Sequence, residues 1–164
     1  MSPILKIMLR KNPNHKTKAG GGQFAIVASR YNDKYVDAML RAAEAEFKRA
    51  GVKKVEIVRV PGAYEIPVVA TKLARTRGPG LSAIVCLGVI LRGQTVHAEH
   101  IGRAVSTALM EIQVGYELPI IHEVLLLENE EQARARCLGT KFNRGTEAAQ
   151  TALAMARVMR DLGA

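Results

Sequence analysis

Tryptophan is absent and aromatic residues make up only 4% of the 164 positions, so the chain is poorly supplied for stacking nucleic-acid bases. Cysteine is scarce too. Cys86 falls in an apolar strand pattern and Cys137 among arginines, without paired spacing, which argues against a disulfide framework and against a metal site and leaves reduced thiols. No apolar run approaches the roughly 20 residues of a membrane helix. The start Met1-Ser2-Pro3-Ile4-Leu5-Lys6 also lacks the apolar core of a signal peptide, so a soluble, cytoplasmic chain is expected. There is no G-x-S-x-G elbow for a serine nucleophile and no glycine fingerprint for NAD. Acidic residues are outnumbered, 15 Asp and Glu against 24 Lys and Arg, for a formal charge of +9.

Much of that charge is local. Lys6, Arg10, Lys11, Lys16 and Lys18 precede Ala19-Gly20-Gly21-Gly22, and residues 1–22 read as a disordered basic arm, either a solvated tail or a segment for an acidic partner. The whole chain is 48% hydrophobic, and residues 23–164 are long enough for one well-cored domain. Nucleic acid is not expected as a partner, whereas phosphate-sized ligands suit the charge.

Strand and helix patterns alternate. Gln23–Ala28 reads as a first strand, and a helix over Asp33–Arg49 carries Val36, Met39, Leu40, Ala43 and Phe47 on one face before Gly51 ends it. Val55–Val60 is a second strand. Pro61-Gly62 leads into a helix that tolerates Pro67 only in its first turn and ends near Arg77-Gly78-Pro79-Gly80. Ser82–Leu87 reads as a strand covered on both faces. A helix with Ile101, Ala104, Val105, Ala108, Leu109 and Ile112 on one face follows and closes near Gly115. Pro119–Leu126 gives a fourth strand, Asn129 caps a short helix through Arg136, and a last helix spans Thr146–Arg160. The alternation predicts a parallel sheet between helix layers, with ligands bound beyond the carboxyl ends of the strands.

The unusual polar segments all sit at those ends. The most informative is Gly88–His97, read as an active-site loop: it contains a glycine that lets backbone approach a ligand, helix-start amides and a hydroxyl that suit an anion, and a histidine able to move protons near neutral pH. A phosphorylated substrate and acid–base chemistry follow. His97 by its spacing is either catalytic or a helix-surface histidine, and His100, one turn along without a third ligand nearby, reads as surface. Arg136 and Arg144 could clamp phosphate with their planar forks or lie solvated. Glu65 suits either a helix dipole or a ligand, and Tyr31 either the sheet edge or a ligand.

Several ordered segments together resemble the 6,7-dimethyl-8-ribityllumazine synthase family, from about Phe24 to the C-terminus. They are Arg30-Tyr31-Asn32, Val60–Pro67, Leu87–His97, Glu128–Ala133 and Asn143-Arg144-Gly145. The resemblance implies a flavodoxin-like three-layer α/β/α sandwich on a central four-stranded parallel sheet. It also implies a cofactor-independent condensation of 5-amino-6-ribitylaminouracil with 3,4-dihydroxy-2-butanone 4-phosphate, the penultimate step to riboflavin. His97 falls on the proton-transferring position, Gln94, Thr95 and Arg136 on the phosphate contacts, and Tyr31 on the aromatic that stacks on the pyrimidine. Ala63, Tyr64, Glu65, Val89, Ile90 and Leu91 fall on ribityl and ring contacts. The resemblance further implies pentamers with the site between subunits, so that His122 enters from a second chain and Arg144 takes the place of a substrate-contacting lysine. No metal is implied. The chain departs from the family pattern at His122, where an aromatic is usual, at Val89 in place of Thr, at Leu126-Leu127 in place of Thr-Thr, and over Leu138–Phe142. A lumazine-synthase-like flavin-binding or shell protein with little turnover is the alternative. A flavodoxin-like FMN carrier would need phosphate-loop hydroxyls after the first strand, which Arg30-Tyr31-Asn32 does not supply.

Overall fold

The computed structural model describes residues 21–163. The basic arm expected over residues 1–22 therefore lies, apart from Gly21 and Gly22, outside the described residues. In chain order the elements are β1 (Phe24–Ser29), α1 (Asp33–Arg49), β2 (Val55–Val60), α2 (Ile66–Arg77), β3 (Ala83–Leu91), α3 (His97–Tyr116), β4 (Ile120–Leu127), α4 (Glu130–Cys137) and α5 (Arg144–Gly163). Single 3-10 turns at Ala63–Glu65 and Gly78–Gly80 flank α2. The four strands are parallel in the order β2-β1-β3-β4, the flavodoxin-like arrangement expected.

Period-two alternation divides the core in two. Phe24, Ile26 and Ala28 of β1 with Val85, Leu87 and Val89 of β3 meet α1, α4 and α5, whereas Ala25, Val27, Ile84, Cys86 and Ile90 meet α2 and α3. Because both faces of β1 and β3 are covered, their sequences read as unbroken apolar runs. The Phe24 and Phe47 rings, 4.8 Å between centroids, pin α1 to the first strand.

Helix α1 has the bounds read from the sequence, and its end shows why. Gly51, at φ +86°, takes a left-handed conformation that a side chain resists, while the Gly51 amide reaches the Lys48 carbonyl and the Val52 amide that of Phe47. Other bounds move. β1 and β4 each begin one residue later than expected, α5 begins two residues earlier, and α3 passes Gly115 to end at Tyr116, followed by Glu117 in a left-handed conformation. The early start of α5 follows from Asn143, whose Oδ1 accepts from the Gly145 amide at 2.9 Å. Gly145 also lets α5 lie against α1, since a Cβ there would overlap the Met39 carbonyl.

The largest correction concerns Gly88–His97. Strand β3 continues through Leu91, with Gly88 to Leu91 paired residue by residue to Val124 to Leu127, so the loop is only residues 92–96. Gly88 lies in close packing: a Cβ there would crowd the side chains of Val124, Ile66 and Ser29 at 3.1–3.4 Å, which would have to give by a few tenths of an ångström. Gly93 faces open space.

The outer edge of β4 is partly closed by side chains of its own chain. The Ile120 amide donates to Gln113 Oε1 at 3.0 Å, and the Val124 amide to His122 Nδ1 at 3.3 Å. No helix among the described residues is long and apolar enough to cross a membrane.

Candidate active site at the carboxyl ends of the strands

The chain reverses its direction of travel across the sheet between β1 and β3, and such a switch point opens a crevice at the carboxyl ends of the two strands. A cavity of about 880 Å³ lies there, of a size that suits a small ligand. Eight positions singled out in the sequence share it: Tyr31 after β1, Ala63, Tyr64 and Glu65 after β2, Val89, Ile90 and Leu91 at the end of β3, and His97 at the start of α3. Asn32, Gly62, His100, Ile101 and Ala104 complete its lining. His100 is therefore solvent-exposed as expected but not merely surface, because α3 turns it toward the same space as His97.

The wall near Tyr31 is held by backbone. The amides of Arg30 and Tyr31 donate to the carbonyls of Val60 (2.8 Å) and Pro61 (3.0 Å), joining the loops after β1 and β2. Asn32 adopts a left-handed conformation (φ 58°), which Asn tolerates better than most residues. Its carbonyl receives the first amides of α1, while its side chain leaves the helix and donates to the Val89 carbonyl at 2.7 Å. That bond ties the end of β1 to the end of β3 beneath the cavity. Arg59 braces the same corner, donating to the Ser29 carbonyl at 2.9 Å and to Asp37 at 2.7 Å. The parts played by Asn32 and Arg59 depend on partners 57 and 30 residues away, which local spacing does not reveal.

Tyr31 is 68% exposed, with its ring lying over Gly62: a Cβ at Gly62 would stand 3.0 Å from the ring. A large aromatic left in water on a cavity wall is free to take a flat partner. Glu65 serves structure as well as lining, because its Oε2 accepts from the Gly62 amide at 2.8 Å and closes the turn that carries Ala63 and Tyr64.

At the cavity mouth, α3 begins at His97 without a side-chain cap on Val96. Thr95 Oγ1 accepts only a long 3.4 Å bond from the His97 amide, so the helix start presents amides and a positive dipole end beside Gln94 and Thr95. Both of those residues are exposed on the loop rather than in the cavity wall. Arg92 steadies the loop. Its backbone amide reaches the Leu127 carbonyl at 2.8 Å, and its guanidinium bridges Glu99 (2.5 Å) and Glu128 (3.0 Å).

The remaining three predicted residues are not at the cavity of their own chain. His122 projects from β4 toward α3, with Nε2 2.8 Å from Ser106 Oγ, and desolvation lowers its pKa. Since the Val124 amide donates to Nδ1, the neutral ring carries its proton on Nε2 and donates to Ser106, whose hydroxyl donates to the Gly102 carbonyl. Arg144, at the start of α5, donates to Glu123 at 3.0 Å and to Glu147 at 2.6 Å. Arg136 sits half-buried in the last turn of α4. Glu123 beside them is buried, which pushes its carboxyl up to about 7 against the pull of Arg144. Burial likewise pushes the Cys86 thiol up to about 12, which suits a packed rather than a reactive cysteine.

Comparison with known proteins agrees with this geometry. The family model of 6,7-dimethyl-8-ribityllumazine synthase matches residues 21–160. A 6,7-dimethyl-8-ribityllumazine synthase of Pyrococcus furiosus is 40% identical over 143 residues, covering 87% of this chain and 88% of its own. One of Rhodopseudomonas palustris is 37% identical over 149 residues (89% and 91%), and one of Stenotrophomonas maltophilia 36% over 142 (85% and 90%). The chain belongs to the 6,7-dimethyl-8-ribityllumazine synthase family.

Proposed function

We propose that this chain condenses 5-amino-6-ribitylaminouracil with 3,4-dihydroxy-2-butanone 4-phosphate to give 6,7-dimethyl-8-ribityllumazine, phosphate and water. The observation that carries the reading is the gathering of eight assigned positions from four segments around one cavity at the sheet's switch point. Tyr31 stacks on the pyrimidine, and the turn of Ala63, Tyr64 and Glu65 with the strand end at Val89, Ile90 and Leu91 holds the ring and ribityl chain. Gln94 and Thr95, beside the uncapped start of α3, take the phosphate with Arg136.

Two substrates must meet in one orientation, so positioning supplies much of the rate. The amine of the pyrimidine attacks the ketone to form a Schiff base with loss of water. Phosphate then leaves, and the second amine closes the ring with loss of a further water. His97, on the cavity wall, carries protons in these steps. The reaction needs no cofactor or metal.

His122, Arg136 and Arg144 belong to a neighbouring chain's site. In their own chain they lie on β4, α4 and α5 and outside the cavity lining, which supports a homo-oligomer built on pentamers with each site completed across two copies. Residues 23–164 form the catalytic domain, and the basic arm over 1–22 is open to an acidic partner. The cytoplasm is the compartment that fits. A turnover assay with both substrates, read by lumazine absorbance, tests the reading: product formed only when both are present is expected. Lumazine binding without turnover would overturn the assignment and leave a binding or shell protein. Arg136→Ala is expected to raise KM for the butanone phosphate more than for the pyrimidine, and equal effects on both would withdraw its phosphate role.

A further inference from the structure

Along β4, Ile121, Leu125 and Leu127 turn apolar side chains toward the helices of one layer, but Glu123 puts a carboxylate among them and is only 7% exposed. A buried carboxylate is costly unless it is paired and hydrogen-bonded. Its partner is Arg144, whose Nε donates to Glu123 Oε2 at 3.0 Å while Nη1 donates to Glu147 Oε2 at 2.6 Å. Two carboxylates reaching two different nitrogens of a planar fork fix its plane as well as its place. The turn before Arg144 is fixed too, because Asn143 donates to the Cys137 carbonyl at 2.6 Å and accepts from the Gly145 amide.

We infer that Glu123 is a positioning residue for the reaction: its carboxylate sets the orientation of the Arg144 guanidinium, and so of the donors that Arg144 offers to the pyrimidine of the neighbouring site. The inference rests on the reading of Arg144 as a substrate contact. The charged and titratable groups that act on Glu123 are Arg144 and Glu147 from α5 and Arg136 and Cys137 from α4. The arginines stay charged, and burial holds the Cys137 thiol neutral by pushing it up to about 12. Glu123 itself, at about 7, changes charge near neutral pH. The clamp on Arg144 is complete above that pH and weakened below it.

Steady-state kinetics of the assembled Glu123→Gln enzyme, with both substrates between pH 6 and 8, test this. KM for 5-amino-6-ribitylaminouracil is expected to rise roughly three- to thirtyfold, with smaller changes in kcat and in KM for the butanone phosphate. The ratio of variant to parent KM should be largest at pH 8 and shrink toward pH 6. In an Arg144→Ala background the Glu123→Gln change should add nothing. A KM ratio that is the same at both pH values, or an effect that persists in the Arg144→Ala background, would overturn the inference. Should Glu123→Gln fail to assemble, the ratio of Arg144→Ala to parent KM carries the same pH test. If Arg144→Ala leaves both KM values unchanged, the reading of Arg144 itself falls. If it raises the pyrimidine KM while Glu123→Gln is silent, only the role of Glu123 falls.

Discussion

Replacing Gly62 with alanine separates the cavity's shape from the fold's stability. The backbone there is extended (φ −129°, ψ 176°), a conformation alanine adopts without strain. The added Cβ would stand 3.0 and 3.1 Å from two ring carbons of Tyr31 and 2.8 Å from Glu65 Oε2. Carbon atoms prefer about 3.5–4.0 Å, so the ring must retreat by at least several tenths of an ångström. Tyr31 is 68% exposed and can move cheaply. Glu65 Oε2 must shift as well and strain the bond it accepts from the residue 62 amide, so the stability loss should be about 1 kcal/mol, the net worth of one hydrogen bond. Ligand binding should suffer more, because stacking on a well-placed aromatic is worth about 1–3 kcal/mol and is lost when the ring is pushed aside. Fluorescence titration with the lumazine product should show affinity about three- to thirtyfold weaker for Gly62→Ala, approaching that of Tyr31→Ala, while Tyr31→Phe keeps most of it. Urea unfolding on the same samples supplies the control. Parent-like affinity in Gly62→Ala alongside weakened Tyr31→Ala would refute the claim that Gly62 seats the ring. Parent-like affinity in Tyr31→Ala would refute stacking altogether.

His97→Ala should lower turnover roughly ten- to a thousandfold without preventing assembly, since a proton carrier is lost and positioning remains; an unchanged steady-state rate removes it from the mechanism. Gly145→Ala should destabilise the chain by more than about 3 kcal/mol in denaturant unfolding, because its Cβ meets rigid backbone at Met39 rather than a side chain that can yield; a loss within about 1 kcal/mol would mean α1 and α5 separate easily. Glu123 also predicts a pH trend. Its folded pKa of about 7 lies above the ordinary glutamate value of 4.5, so the folded state holds the extra proton, and the associated stability, present below 4.5, is lost as pH rises through about 7. Glu123→Gln does not titrate, so its stability relative to the parent should improve from pH 5 to pH 8 by on the order of 3 kcal/mol, and a relative stability independent of pH would contradict the buried, titrating carboxylate.

How far the sequence was legible depended on whether a signal was local. Helix α1 and strand β2 could be bounded from pattern alone, because Gly51 marks a helix end by its own conformational freedom and Pro61-Gly62 closes Val55–Val60. β3 was underestimated because a strand buried on both faces has no period, and Gly88, which packs closely on Val124, Ile66 and Ser29, was read with the loop that follows. In the site, the polar segments at the strand ends announced themselves, and eight assigned positions share a cavity. Asn32, Arg59 and Gly62 could not be weighted from their neighbours, since each acts across the sheet or under a ring. Glu123 read as an ordinary strand residue until its burial against Arg144 was visible.

The side chains along the outer edge of β4 set how this molecule can meet others. An open strand edge recruits any passing strand, and a homo-oligomer concentrates many copies of it. With the Ile120 amide given to Gln113 and the Val124 amide to His122, two hydrogen-bond donors on that edge are already taken, so an approaching backbone meets fewer free donors there. Acid reverses this protection at one point: a doubly protonated His122 ring has no lone pair for the Val124 amide, and the edge it covered is uncapped.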